Sequence, residues 1–195
     1  MNLLIFPNNL YETKYLPKNI EKIYILEDPI FFGYREKQLK FNKLKLVLHR
    51  SSMKFYNNYL KNKKYKVEYI EFKKLKNLKY SFLKDINNIS YFELNDHLLQ
   101  SRLDKYTQNL NTSILNNPNF LVSTDQLEEY NSNKKNKSRF FHKTFYEFIK
   151  NKLDILKKTK SYDTENRNSL PDDIDIPPLP KKKINKYEKE AIKYT

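Results

Sequence analysis

Short apolar runs rich in Ile, Tyr and Phe recur along the chain, separated by polar stretches whose apolar residues fall at helical spacing. The runs are "LLIFP" (Leu3–Pro7), "KIYILED" (Lys22–Asp28), "KVEYIEF" (Lys66–Phe72), "ISYFEL" (Ile89–Leu94) and "TSILN" (Thr112–Asn116). The first two are almost continuously apolar, as strands buried on both faces are; "KVEYIEF" alternates more. From about Lys37 to Lys63, the residues Leu44, Val47, Leu48, Phe55, Tyr59 and Leu60 fall largely on one helical face. "DHLLQSRLDKY" (Asp96–Tyr106) opens on an Asp suited to N-capping, and "STDQLEEY" (Ser123–Tyr130) has Ser and Gln at capping-box spacing. "RFFHKTFYEFIKNKLDIL" (Arg139–Leu156) repeats Phe141, Phe145, Phe148 and Leu156 at helical spacing, and a short helix is predicted from Lys183 to Tyr194.

Strands alternating with helices predict an α/β fold: a five-stranded, mostly parallel sheet with helices on both faces. Ligands of such sheets sit beyond the carboxyl ends of the strands, near a switch in strand order. Those ends are "PNN" (Pro7–Asn9), "EDP" (Glu27–Pro29) and "LND" (Leu94–Asp96). The only glycine is Gly33. A Walker loop or a GxGxxG fingerprint needs several glycines where backbone approaches phosphate, so an ordinary P-loop NTPase or dinucleotide dehydrogenase is excluded.

Composition narrows the class. In 195 residues, 38% apolar and 15% aromatic side chains are enough for a core. The chain has no cysteine and only three scattered histidines, so neither a thiolate cluster nor a histidine metal site is expected. No run of 18 apolar residues and no signal-peptide pattern occurs, which predicts a soluble intracellular protein without a membrane span. The formal charge of +15 suggests polyanion contact, but 33 of the 38 basic residues are Lys. Abundant Lys and Asn fit AT-rich codons, so only weak nucleic-acid attraction is expected. Charge is also uneven: residues 161–180 carry −4 between two basic segments.

Three places could carry chemistry. In "LEDPIFFGYRE", Glu27 and Asp28 stand at a strand end with Phe31, Phe32 and Tyr34 beyond them. They form either a polar anchor with aromatic walls for a planar ligand, or a turn whose aromatics enter the core. "KLVLHRSSMKFY" places His49, Arg50 and Met53 along one helix, and His49 and Met53, four apart, face the same way, as site residues or as packing. Asn8 and Asn9 are either ligand-edge donors and acceptors or turn residues. No nucleophile–base arrangement and no preorganised carboxylate pair is evident, so no catalytic residue is expected.

Several of these segments, in order, resemble the deoxyribodipyrimidine photolyase-related proteins, a branch of the photolyases and cryptochromes with bacterial iron–sulfur members. "IFPNNLYE" looks like the family's "LPDQLFE". "LEDPIFFGY…LKFNKLKLVLHRSSMKFYNNYL" looks like "EDPLFF…FHKQKLVLHRASM", and "SYDTENRNSLP" looks like "FDEENRKKLP". "PNFLVSTDQLEEY" and "FHKTFYEFIKNKLDIL" continue the match. Two departures stand out: Asn8-Asn9 replaces the family's Asp-Gln, and Asn42 replaces the His of "FHK".

The resemblance implies a Rossmann-like, photolyase-type N-terminal domain over residues 1–160. Residues 161–195 would then be the ENR motif, a Pro-rich connector and a short helix leading toward a flavin-binding half. Such a domain can hold a ribityl-lumazine antenna chromophore; near Asn8, Asn9, Glu27, Asp28, Phe32, Tyr34 and His49 is where one is expected. FAD and the iron–sulfur cluster would lie in a separately encoded helical half, in a split or truncated gene. Asp163, Glu165, Asn166 and Arg167 would hydrogen-bond onto the domain or toward that half. Light-dependent DNA repair would need both halves. The alternative is a noncatalytic α/β binding module with a degenerate pocket and weak nucleic-acid affinity.

Overall fold

The computed structural model describes residues 1–33, 41–78, 80–133, 140–156, 168–169 and 173–195. Tyr34 and the quartet Asp163, Glu165, Asn166 and Arg167 lie outside the described residues. In chain order the elements are β1 (Asn2–Ile5), β2 (Lys22–Leu26), α1 (Pro29–Phe32), α2 (Lys43–Asn62), β3 (Val67–Ile70) and α3 (Phe72–Leu78). They continue with β4 (Asn88–Phe92), α4 (His97–Thr107), β5 (Asn111–Leu115), α5 (Thr124–Ser132), α6 (His142–Lys152) and α7 (Lys186–Tyr194). All five predicted strands form. Every pairing is parallel, in the order β3-β2-β1-β4-β5. The fold is thus α/β with a Rossmann-like strand order that reverses between β1 and β4.

Alternation along the central strands feeds two cores. Leu3, Ile5, Ile23 and Ile25 point to the face covered by Met53, Tyr56 and Leu60 of α2. Leu4, Phe6, Tyr24, Leu26 and Tyr91 point to the opposite face, with Leu99 and Leu103 of α4. Burial on both faces is why "LLIFP" and "KIYIL" read as continuous apolar runs. The capping signals are also realised. Asp96 accepts a hydrogen bond from Leu99 N at 2.9 Å, and Ser123 and Gln126 form a reciprocal capping box.

The apolar face expected on α2 is corrected. Leu44, Leu48 and Phe55 are 78%, 63% and 58% exposed, while Arg50, Met53, Tyr56, Asn57 and Leu60 are buried. Counting apolar residues missed this because the inward stripe contains a buried arginine. It enters the core only because Glu27 neutralises it there.

The chain also divides differently from the expected 1–160 and 161–195. Residues Met1–Asn119 and Lys183–Thr195 form one compact unit and Phe120–Lys182 a second. Within the second unit, Tyr130 is ringed by Phe140, Phe145 and Phe148 at centroid distances of 5.0–5.5 Å, while Phe141 is 58% exposed. Helix α7, expected to lead away from the domain, returns to the first unit and packs on α2. Its Ala191 is fully buried, which allows the close approach.

Gly33 ends α1 at φ +146°, and a Cβ there would lie 3.3 Å from Phe72 Cζ. Gly33→Ala should therefore cost about 1 kcal/mol or more, seen as a lower urea midpoint with an unchanged m-value. A neutral or stabilising effect would contradict this strained conformation.

Candidate functional site

The backbone remains extended past β2, with Glu27 N donating to Ile70 O of β3 at 3.0 Å. Alternation therefore sends Glu27 to the α2 face and Asp28 to the α4 face. Both carboxylates are fully buried. Each meets one arginine, one tyrosine and one backbone N–H. Glu27 accepts from Arg50 Nη1 at 2.6 Å, Tyr69 OH at 2.5 Å and Phe72 N at 2.8 Å. Asp28 accepts from Ile30 N at 2.9 Å, capping α1, from Tyr80 OH at 2.5 Å and from Arg102 Nε at 3.3 Å.

Burial pushes both carboxyl groups up from their ordinary values, and these hydrogen bonds work against it. The same contacts hold the Tyr69 and Tyr80 phenols well above the usual range, burial being the larger cause. The two acids bind the ends of β2 and β3 to the surrounding helices. Neither is an open anchor for a ligand.

Arg50 is 2% exposed and is paired with three carboxylates. Besides Glu27 it pairs with Glu71 at 2.9 Å and with Glu190 of α7 at 2.6 Å. The Tyr194 ring lies 3.3 Å from the guanidinium carbon. Burial alone would lower the Arg50 pKa; Glu190, Glu27 and Glu71 more than offset it. Arg102, Tyr69 and Tyr80 are not singled out by the sequence, and Arg50 is named there only as a neighbour of His49 and Met53 on one helix, with no role of its own. A usable signal was present, since in a chain with 33 Lys and 5 Arg each arginine is a marked choice. Two of the five hold the two carboxylates.

At the strand-order switch, the turn after β1 places Asn8 outward and buries Asn9 to 1% exposure. Asn9 Nδ2 donates to Tyr11 OH at 3.3 Å, and that hydroxyl donates to Asn117 Oδ1 at 2.7 Å. Asn117 Nδ2 donates to Glu93 O at 3.1 Å. The chain of bonds joins the carboxyl ends of β1, β4 and β5. Its one loose end is Asn9 Oδ1, which is buried and has no hydrogen-bond partner among the described residues.

His49 presents a second unmatched atom. Its Nε2 is buried without a partner among the described residues, and its ring stands edge-on to Phe31 at 5.7 Å. Phe32 is buried, stacked on Phe72 and 6.2 Å from His49. Burial, then Lys45, lowers the His49 pKa from its ordinary 6.5. The unfolded chain therefore takes up this proton at a higher pH than the folded one. The resulting stability is complete above about pH 6.5 and falls as the pH drops below it. His49→Phe should flatten that decline between about pH 7 and 5, measured by urea midpoints. An unchanged slope would contradict the burial of a neutral imidazole.

The expected site residues thus fall into separate places: Glu27, Phe32 and His49 at the α2 face, Asp28 at the α4 face, Asn8 and Asn9 at the switch. Among the described residues no three His, Cys, Asp or Glu side chains could hold a metal, and no helix is long and apolar enough to cross a membrane. A cavity of about 690 Å³ lies away from this end, where β4 and β5 begin, lined by Tyr80, Lys84, Asn87, Lys105, Tyr106 and Gln108 among others.

Comparison with known proteins identifies the family. Residues 3–195 match the profile of the deoxyribodipyrimidine photo-lyase-related protein family. An uncharacterised protein of Acanthamoeba polyphaga mimivirus is 32% identical over 189 residues, covering 89% of this chain and 96% of the viral protein. The family match spans the sheet, the second unit and the returning helix alike, and the chain belongs to the deoxyribodipyrimidine photo-lyase-related protein family.

Proposed function

We propose that the chain is a photolyase-related binding domain that holds a planar antenna-type chromophore at the strand-order switch and serves a separately encoded flavin-binding half. The observation that carries this reading is Asn9 Oδ1, a fully buried acceptor left open at the position where open α/β sheets take their ligands. An unmatched buried acceptor costs about 1–3 kcal/mol. A ligand with a ring N–H, such as the pyrimidinedione ring of a ribityl-lumazine, would remove that cost. When bound, the chromophore supplies light absorption and passes the energy on. The protein's own residues bind, orient and exclude water.

These residues do not fit the remaining cofactors of the family's chemistry. The chain has no cysteine for an iron–sulfur cluster and a single glycine, so no glycine-rich loop for a dinucleotide. Flavin-driven repair of DNA is therefore assigned to the partner.

A second reading, a noncatalytic module with a degenerate pocket and weak nucleic-acid contact, is favoured by one observation. Glu27 and Asp28 are fully engaged by internal partners. The two readings separate on a desalting column. After incubation with a ribityl-lumazine, protein of the first kind elutes with a visible absorption band and co-purifies with a flavin-binding half when both are expressed. Protein of the second kind elutes colourless and alone.

A further inference from the structure

The guanidinium of Arg50 is surrounded in two stages. The inner stage belongs to the sheet: Nη1 donates to Glu27 and Nη2 to Glu71, at 2.6 and 2.9 Å. The outer stage comes entirely from α7. Nε donates to both oxygens of Glu190 at 3.1 Å, Nη2 donates to Glu190 Oε1 at 2.6 Å, and the Tyr194 ring covers the guanidinium face. This is the fork-on-oxyanion geometry that arginine uses for carboxylates and phosphates in general.

The outer stage is not needed for neutrality. Arg50 and Lys54 already balance Glu27 and Glu71, to which Lys54 is bridged at 2.9 Å. Adding Glu190 makes the group net negative. Lys73, with its ammonium 5.1 Å from the Tyr194 ring, borders the same spot. Without Glu190 the four inner groups are neutral, Lys73 adds one positive charge beside them, and the Nε edge of Arg50 lacks its acceptor.

The element that supplies this acceptor is short and held at few points. Helix α7 has nine residues, capped by a reciprocal box between Asn185 and Glu188, and so short a helix is not stable alone in water. It holds on by one face: the Tyr187 hydroxyl accepting from Asn58, Tyr187 against Phe55, Glu190 and Tyr194 on Arg50, and Ala191 between them. Residues 174–185 before it have no regular structure.

We infer that α7 is a displaceable cover and that Glu190 occupies an oxyanion-binding site formed by the Nε edge of Arg50, at the carboxyl ends of β2 and β3. A phosphate or carboxylate group entering there takes over the bonds to Nε and Nη2, and α7 lets go. Because Nε and Nη2 donate side by side, a bidentate oxyanion substitutes for the Glu190 carboxylate; chloride, a single-point acceptor, does not. The inference is independent of chromophore binding at Asn9.

The test is amide hydrogen exchange of the full chain in inorganic phosphate, glutamate or chloride at matched ionic strength. Phosphate or glutamate should speed exchange in α7 at least several-fold over chloride while the strands stay protected, and whichever anion acts names the ligand class. Glu190→Gln should speed α7 exchange in chloride and tighten binding of the active anion about tenfold, because the internal competitor is weakened. Tyr194→Ala, which leaves every charge in place, should act in the same direction. Equal α7 exchange in all three salts, or no gain in anion binding by either variant, overturns the inference.

Discussion

Replacing Arg50 by Ala should destabilise the chain by about 3–5 kcal/mol, the usual result of removing one partner of a buried ion pair. Glu27 is fully buried and keeps only Tyr69 OH and Phe72 N once the guanidinium is gone. Those two neutral donors do not offset the desolvation of a carboxylate. Helix α7 loses Glu190's partner and the seat of Tyr194 together. Urea unfolding should show the loss as a lower midpoint, and hydrogen exchange should show α7 opening first. Arg50→Lys should recover part of the stability but not the docking of α7, because an ammonium cannot serve Glu27, Glu71 and Glu190 in one plane. A loss below about 1 kcal/mol for Arg50→Ala would mean that water already shares the site, and the account of a dry ion-pair centre would fail.

Asp28→Ala should be the next most damaging change, at about 2–4 kcal/mol. About 1 kcal/mol of this is the lost N-cap of α1, since Asp28 accepts from Ile30 N. The rest is the unmatched Tyr80 hydroxyl, on a residue 2% exposed, together with the loss of Arg102's acceptor. Asp28→Asn keeps the cap and one acceptor for Tyr80, and should fall between Ala and the native residue. If Asp28→Ala leaves the urea midpoint in place, Asp28 is not the joint between α1 and the Tyr80 segment described here, and a ligand-facing role reopens.

These two results would also show how far the sequence alone could be read. The sheet was legible because its strands are buried on both faces, so that five apolar runs stood out and each became a strand. Capping chemistry is equally local, and Asp96 and the Ser123–Gln126 box formed as their spacing predicts. The inward face of α2 was not legible. It is defined by an arginine whose partners come from residues 23, 21 and 140 positions away in the chain, and no local pattern marks such a residue as buried. For the same reason α7 was read as leading away: its Glu190 and Tyr194 look solvated until Arg50 is placed beneath them.

The candidate site was half legible. Strand ends located Asn9, Glu27 and Asp28 at the ligand end of the sheet. Whether each remains open depends on side chains from other elements. Tyr69, Tyr80 and the two arginines close Glu27 and Asp28, whereas the Tyr11–Asn117 chain engages only the amide nitrogen of Asn9 and leaves its oxygen open.

That oxygen is where the functional proposal is most directly tested. Fluorescence titration of a ribityl-lumazine into the wild-type chain and into Asn9→Leu compares an acceptor with a side chain of similar size that has none. Saturable one-to-one binding by the wild-type chain, weakened at least tenfold in Asn9→Leu while the urea midpoint stays within about 1 kcal/mol equivalent, is the predicted result. No saturable binding by the wild-type chain, or equal affinity for both, would contradict a chromophore seated at Asn9.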